Sequence, residues 1–282
     1  MADPILTVLM PVGAYRKAYL EQAVGSLLGQ TRPDWRLLVI RNKGEAEAFA
    51  EEHSDLLADE RIEVIENEGR KLAGKLNTGM RHANTDFVAE LFVDDMWSRD
   101  AVEVLAKCLE RHPDADFFHS SRRFVDENGR QLGVRITQPD VTVADFRVRA
   151  PVTHLLCWRV SKALEFGGMD ESLNSVGPDD FDFPWTMAEH GAKFVAVPEC
   201  LYVYRDDREL SRLSSDLTLS KHLRELRRVL RKHDLSREQI ERRLEDARAT
   251  YLQQHVPRSN VDRAFKRLFR RDDAPSGVTS DR

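Results

Sequence analysis

The stretch Asp86-Phe87-Val88-Ala89-Glu90-Leu91-Phe92-Val93-Asp94-Asp95-Met96-Trp97 decides how this chain is read. An apolar, strand-favouring run ends in two adjacent carboxylates, followed by an aromatic and by Ser98-Arg99-Asp100, which opens a helix. Short continuous apolar runs mark strands buried on both faces of a sheet. In open α/β sheets, ligands gather beyond the carboxyl ends of such strands. Two neighbouring carboxylates there repel unless something positive lies beside them. A divalent cation suits the place, since Mg²⁺ takes one or two carboxylates and fills its shell with water and phosphate oxygens. The competing reading makes Asp94 and Asp95 caps of the next helix.

Towards the N-terminus, strand and helix patterns alternate. Residues 5–10 form a β-rich run stopped by Pro11 and Gly13, and residues 19–28 carry apolar side chains at helical spacing. A strand over 35–40 ends at Arg41-Asn42-Lys43-Gly44, a helix covers 46–57, and a strand covers 62–65. A polar loop, 66–71, leads to a helix with Leu72, Leu76 and Met80 on one side. This alternation predicts an α/β fold with a mainly parallel, doubly wound sheet flanked by helices. Right-handed crossovers put the strand-end loops on one edge. That edge collects Tyr15, Arg41, Asn42, Lys43, Arg70, Lys71, Asp94 and Asp95. Carboxylates, cations and a stacking aromatic together suit a nucleoside diphosphate with its metal, whereas separately they are ordinary polar loop residues.

Beyond residue 100 the sequence predicts a helix over 102–109, a strand over 116–120 and a hairpin turn at Asp126-Glu127-Asn128-Gly129-Arg130. Residues 134–150 read as an irregular loop, 151–160 as a strand, and the next helix ends at Gly167-Gly168. Asp179, Asp180 and Asp182 precede a helix that carries Pro184 early, where its missing N–H costs little. The dipole and free N–H groups at a helix start favour ionised carboxylates, and one placed near a metal-bound phosphate can accept a proton from an attacking hydroxyl. N-capping is the plainer role. Strands over 194–197 and 201–204 close the domain.

Composition sets outer limits. With 282 residues there is room for one large α/β domain and an appendage, and a net charge of −5 gives no reason to expect nucleic acid. Cys108, Cys157 and Cys200 lack paired spacing, so neither a disulfide frame nor a zinc site is expected. No apolar run approaches the ~20 residues that span a bilayer, and Met1-Ala2-Asp3-Pro4 shows no basic signal region. The expected location is cytoplasmic.

Several blocks taken in order give the sequence a resemblance. Leu9-Met10-Pro11-Val12, Ser26-Leu27-Leu28-Gly29-Gln30-Thr31, Leu72-Ala73-Gly74-Lys75-Leu76-Asn77-Thr78-Gly79 and Val93-Asp94-Asp95-Met96-Trp97-Ser98 come first. Gly168-Met169-Asp170-Glu171-Ser172-Leu173, Asp179-Asp180-Phe181-Asp182 and Pro198-Glu199-Cys200-Leu201-Tyr202-Val203-Tyr204-Arg205 follow. Over about residues 5 to 205 the chain resembles the family 2 glycosyltransferases of GT-A fold, Rossmann-like enzymes of the inverting type. The resemblance implies metal-dependent transfer of a sugar from a nucleotide-diphosphate donor, a UDP-sugar first, to an acceptor hydroxyl in glycan or polysaccharide biosynthesis. It implies Asp95 as the chief ligand of Mg²⁺ or Mn²⁺, with Asp94 as a second ligand nearer the ribose. Pro11, Gly13, Tyr15, Asn42, Lys71 and Lys75 would bind the nucleotide. Asp180, with Asp179 beside it, matches the acidic pair proposed as general base.

The chain departs from the family pattern at several positions. Phe92 stands in place of a first aspartate and Arg41-Asn42 in place of a usual acidic pair. Asp207 replaces a frequent histidine and reads as an exposed loop residue or an oxygen ligand; Thr186 replaces a frequent arginine. Trp97, Trp158, Trp185 and His154 read as core before they read as pocket. The departures motivate a rival reading, a catalytically silent sugar-nucleotide-binding or scaffold protein; a nucleotidyltransferase is a weaker competitor.

The expected domains are a catalytic domain over 1–210, with a nucleotide-binding half over 1–100 and an acceptor-binding half over 101–210, then a helical extension over 211–271 and a disordered tail over 272–282. In the extension, apolar stripes at Leu223, Leu226, Val229 and Leu230 and at Ile240, Leu244 and Tyr251 flank a helix start at Asp234-Leu235-Ser236. These helices would pack on the catalytic domain or form a homodimer. The basic amphipathic stretch 258–271 would make peripheral contact with a membrane, suiting a lipid-linked acceptor.

Overall fold

The structure, a computed structural model, describes residues 3–173, 177–207 and 218–255. The chain divides into two compact units, Met1–Leu217 and Thr218–Arg282.

In the first unit, β1 (Leu6–Pro11), β2 (Trp35–Arg41), β3 (Ile62–Glu66) and β4 (Phe87–Glu90) pair in parallel, in the order β3-β2-β1-β4. Their links are α1 (Lys17–Leu28), α2 (Ala46–Glu52) and α3 (Lys71–His82). Every side chain of β1 and β4 is buried, as expected of strands covered on both faces. Beyond β4 the sheet changes direction. β8 (Leu156–Arg159) runs antiparallel to both β4 and β6 (Phe117–Val125), and β6 pairs in parallel with β9 (Phe194–Arg205). The short β5 (Met96–Trp97) adds antiparallel to β9, and β7 (Gln131–Arg135) pairs antiparallel with β6. The predicted α/β sheet is therefore present as a mixed one, parallel in its first half.

Several boundaries differ from the sequence reading. The strand expected over 86–93 stops at Glu90, and residues 91–95 leave the ladder before β5 forms on β9. The loop expected over 134–150 contains α5 (Val143–Val148), started by a capping box in which Thr142 and Asp145 bond reciprocally. Phe146, fully buried and stacked on Trp185 at 6.1 Å, anchors that short helix. The two strands expected at 194–204 are one strand, β9, whose register slips against β6 near Ser121. Asp179 and Asp180 lie on a single wide turn, Pro178–Asp182, that precedes α7 (Phe183–Glu189).

Two sequence blocks have packing explanations. Ser26, in the last turn of α1, and Gln30, just past its end, bind the segment after β4. The Trp97 N–H donates to Ser26 Oγ (3.1 Å), Gln30 Nε2 donates to Ser98 O (2.7 Å), and the Val102 N–H donates to Gln30 Oε1 (3.0 Å). This fixes the start of α4 (Ala101–Arg111). The block Gly168-Met169-Asp170-Glu171, after α6 (Val160–Glu165), closes onto α3. Asn77 exchanges hydrogen bonds with Met169, and Glu171 accepts from the Arg70 N–H (2.8 Å) and Asn77 Nδ2 (3.0 Å). Gly74 meets Gly69 so closely that a Cβ on Gly74 would lie 2.5 Å from the Gly69 carbonyl carbon.

The second unit holds α8 (Leu219–Lys232) and α9 (Arg237–His255), which pack against each other. Leu226, Val229, Leu230, Ile240 and Leu244 are buried, and Arg227 pairs with Glu241 at 2.8 Å. The predicted start at Ser236 is a capping box: the Gln239 N–H donates to Ser236 Oγ and the Ser236 N–H to Gln239 Oε1. The stretches 258–271 and 272–282 lie outside the described residues. Among the described residues, no helix is long and apolar enough to cross a membrane.

Replacing Gly74 with alanine drives a methyl group into backbone atoms, which cannot move aside as a side chain can. Gly74→Ala is expected to lower stability by about 1–3 kcal/mol, read as a lower urea midpoint with an unchanged slope.

Candidate active site

After β1, the chain passes through Val12, Gly13 and Tyr15 and is held from two sides. Arg41, at the end of β2, donates from Nη1 to Gly13 O (2.8 Å) and Val12 O (3.3 Å), and from Nη2 to Glu45 (2.6 Å). Its guanidinium lies 4.8 Å over the Phe49 ring and 5.7 Å from that of Tyr15, whose hydroxyl is 2.7 Å from His53 Nε2. Lys75, buried on α3, donates from Nζ to Val12 O at 2.7 Å. Burial first, then the Arg41 charge, pushes the Lys75 ammonium down to about 8, with Glu45 acting the other way. Asn42 donates from Nδ2 to both oxygens of Glu45, at 3.1 and 3.0 Å. Pro11, Gly13, Tyr15, Asn42 and Lys75 thus border one loop cluster. Lys71 is exposed at the start of α3 with φ +60°.

The carboxylates after β4 differ sharply. Asp95 is buried, and both of its oxygens are occupied: Oδ2 accepts from the Tyr202 hydroxyl (2.8 Å) and Oδ1 from the Arg205 N–H (2.8 Å). Burial first, then the neighbouring Asp94 charge, raises the Asp95 acid to about 7. Asp94 is half-buried, and among the described residues its carboxylate has no hydrogen-bond donor, while its carbonyl accepts from Arg205 Nε at 3.0 Å. Arg205 in turn lies 4.1 Å over the Tyr19 ring. Asp207, expected on an exposed loop, is buried because Arg16 Nη1 (2.8 Å) and the Tyr19 hydroxyl (2.7 Å) both donate to it.

A second polar group adjoins this one. The Tyr202 ring is 5.3 Å from His154, whose Nε2 is 2.9 Å from Glu90 Oε1 and 3.4 Å from Asp179 Oδ2. The Glu90 contact has the distance of an ion pair without hydrogen-bond alignment, so neither Glu90 oxygen has a hydrogen-bonding donor. Burial raises the Glu90 acid to about 7, against the pull of His154. Burial also opposes charge on His154, but Glu90 and Asp179 outweigh it and hold the imidazolium up at about 10. Glu90, His154 and Asp179 offer ligand atoms within 4.8 Å of one another, close enough for a cation. Phe92 packs its ring 5.6 Å from His154. Asp180, next along the turn, is half-buried; burial and then Asp179 raise its acid, while His154, Arg122 and Arg135 act against that.

Tyr202 and His154 therefore bridge from Asp95 to Asp179, two sites that the sequence reading had linked only by resemblance. Glu90, Arg122, Tyr202 and Arg205 were not singled out from the sequence. Glu90 carried a readable signal, a carboxylate within an otherwise apolar strand. Trp158 and Trp185 are fully buried and Trp97 is nearly so, in keeping with a core role.

The sheet is mixed, and its parallel half ends in a loop cluster clamped by Arg41 and Lys75 beside a buried acidic cluster. The family model described as Glycosyl transferase family 2 matches residues 7–159, and the chain belongs to that family. It is a glycosyltransferase of GT-A fold. An uncharacterized glycosyltransferase of Methanocaldococcus jannaschii is 27% identical over 224 residues, 76% of each chain. The succinoglycan biosynthesis protein ExoW of Rhizobium meliloti is 33% identical over 142 residues, 49% of this chain and 44% of ExoW. The crystal structure of S. aureus TarS 1-349 in complex with UDP-GlcNAc superposes with a TM-score of 0.64 at 16% identity, covering 93% of this chain and 79% of that one. The chain spans 44% of the longer TarS structure.

Two outcomes test this electrostatic arrangement. Tyr202→Phe removes one donor from a buried carboxylate and is expected to cost about 1–3 kcal/mol in urea unfolding. Glu90 has a folded value near 7, above its ordinary 4.5, so the folded chain binds the extra proton between those pH values. Stability in metal-free buffer should therefore fall as pH rises through that window. Glu90→Gln should flatten the fall in melting temperature, and an unchanged slope would remove Glu90 as its source.

Proposed function

We propose that this family member moves a sugar from a nucleoside-diphosphate donor, a UDP-sugar first, to an acceptor hydroxyl on a glycan or lipid-linked glycan during polysaccharide assembly, with inversion. The observation that carries the reading is the contact path from Asp95 through Tyr202 and His154 to Asp179. It supports one cleft in which donor-side and acceptor-side carboxylates face a common space. The UDP-GlcNAc held by TarS and the polysaccharide role named for ExoW support the donor and the pathway class.

The donor half comprises residues 1–100. The loop after β1, clamped by Arg41 and Lys75, receives the base and ribose, with Tyr15 as the stacking face and Asn42 at the base edge. Pro11 and Gly13 shape that loop, and Lys71 and Lys75 face the diphosphate. The residues fit a divalent cation: among the described residues the half-buried Asp94 carboxylate has no hydrogen-bond donor, whereas Asp95 already accepts two hydrogen bonds. Asp94 is thus assigned the Mg²⁺ or Mn²⁺ and Asp95 the role of holding Asp94 in place. When bound, the cation offsets charge on the departing diphosphate. Asp180 accepts the proton of the attacking hydroxyl, a role helped by burial and by Asp179, which raise its pKa and make the carboxylate a stronger base. Asp179, fixed against His154, sets the direction of the turn that carries Asp180. The acceptor half comprises residues 101–210, and a homodimer through α8 and α9 remains part of the proposal.

Incubation with UDP-, GDP- and dTDP-sugars and Mn²⁺ tests the reading through slow hydrolysis of one donor. Asp180→Asn should lower transfer by about 10²–10⁴-fold, and Asp94→Ala should abolish the metal requirement together with turnover. Metal-dependent nucleotide binding without turnover of any donor would instead favour a silent sugar-nucleotide-binding protein, the reading that Phe92 motivates.

A further inference from the structure

The β6–β7 hairpin presents a charge arrangement that the transfer reaction leaves unexplained. Its register pairs Arg122 directly with Arg135, so the two side chains rise from the same face of the ladder. Like charges placed directly opposite across an antiparallel pair are destabilising. Nearby arginines are neutralised: Arg130 pairs with Asp126 at 3.0 Å, and Arg149 has Asp145 at 3.7 Å. Arg122 and Arg135 form no such ion pair among the described residues.

Both are nonetheless held in position. The Arg122 guanidinium lies 4.7 Å from the Tyr204 ring and 5.0 Å from that of Phe124, with Nη1 3.3 Å from His154 Nδ1. The imidazole supplies no negative charge, so this contact does not neutralise the guanidinium. The buried Nε of Arg122 has no acceptor. Arg135 donates from Nη2 to Ala150 O at 3.1 Å and stays open to solvent on the edge strand. Asp180 is a carboxylate whose charge acts on both guanidiniums, one negative charge against two.

We propose that Arg122 and Arg135 form a subsite for an anionic group on the acceptor, a phosphate or a uronate carboxylate, beside the hydroxyl that Asp180 deprotonates. The inference rests on the assignment of Asp180 as base. An arginine fork matches a planar pair of oxyanion oxygens with two parallel hydrogen bonds, which a single lysine charge cannot do. The anion would relieve the Arg122–Arg135 repulsion, and it would keep the acceptor's own charge away from the Asp180 carboxylate. Neutral acceptors would leave the pair unrelieved.

Equilibrium binding of glucose, glucose 6-phosphate and glucuronate to the full chain, by titration calorimetry, tests this without any need for turnover. One or both anionic sugars should bind at least about tenfold more tightly than glucose, the gain expected of one charge-assisted pair, and the preference should shrink as salt is raised. Tighter binding of the phosphate over the uronate, or the reverse, identifies the acceptor's anion. Arg135→Gln, on an exposed edge where folding is little disturbed, should remove most of the preference, and Arg135→Lys should restore part of it. Equal binding of all three sugars, or a preference untouched in Arg135→Gln, overturns the subsite. If the arginines serve only to keep Asp180 ionised, Arg135→Gln shifts the pH profile of donor hydrolysis and no sugar preference exists to lose. Failure of every donor in the panel above condemns the transferase reading and leaves this binding result standing on its own.

Discussion

A carboxylate taken out of water must meet donors or give up its charge, and in this fold that requirement ties the two halves of the sheet together. Asp95 leaves the ladder after β4 and is met by the Tyr202 hydroxyl and the Arg205 N–H, both on β9. The Phe92 N–H also reaches the Tyr202 oxygen, at 3.3 Å, so one phenol fixes two points of the same segment. Because β9 pairs in parallel with β6 and antiparallel with β5, the segment after β4 is locked to a strand that arrives about a hundred residues later. An unsatisfied buried charge costs several kcal/mol, so the alternative placements of that segment are strongly disfavoured. The local cost of leaving the ladder at Leu91 is offset by these bonds.

The same logic, run less completely, governs the second cluster. Glu90 is fully enclosed at the end of β4 and lacks an aligned donor, with only the His154 charge near it. Incomplete satisfaction of this kind is costly in a fold whose remaining polar groups are mostly paired. It is also what keeps the acidic turn responsive, because His154 divides its attraction between Glu90 and Asp179. His154 also acts on Asp180, so the stability of the turn and the acidity of Asp180 are set by one group of side chains.

Much of this architecture was legible in the sequence, for identifiable reasons. The parallel half, β1 to β4, is written in apolar runs separated by helix-period segments, and both periods are long enough to read. The reversal at β8 was not legible, since Leu156-Cys157-Trp158-Arg159 looks the same whichever way its neighbours run. The helix at 143–148 was missed because one buried aromatic, Phe146, stabilises it and five of its residues carry no helical stripe of their own. Asp94 and Asp95 announced themselves as a pair, but the difference in their surroundings depends on Tyr202 and Arg205, more than a hundred residues away. No local pattern encodes that separation. His154 was read as core because a lone histidine usually is, and its burial fits that expectation while its partners do not.

The departures at Arg41-Asn42 follow from this same need for partners. Where an acidic pair would leave two charges at the end of β2, this chain places a guanidinium on the aromatic faces of Tyr15 and Phe49 and anchors it to the carbonyls of Val12 and Gly13. Glu45, one helical turn on, then supplies the negative charge and orients the Asn42 amide by accepting from its Nδ2. With that nitrogen engaged, Oδ1 is the atom left to face outward, an acceptor just as a carboxylate oxygen would be. The loop after β1 consequently owes its shape to side-chain cations on backbone carbonyls, Arg41 from one side and Lys75 from the other. A loop held this way is fixed by its own side chains, so any ligand it took would cost it little conformational freedom.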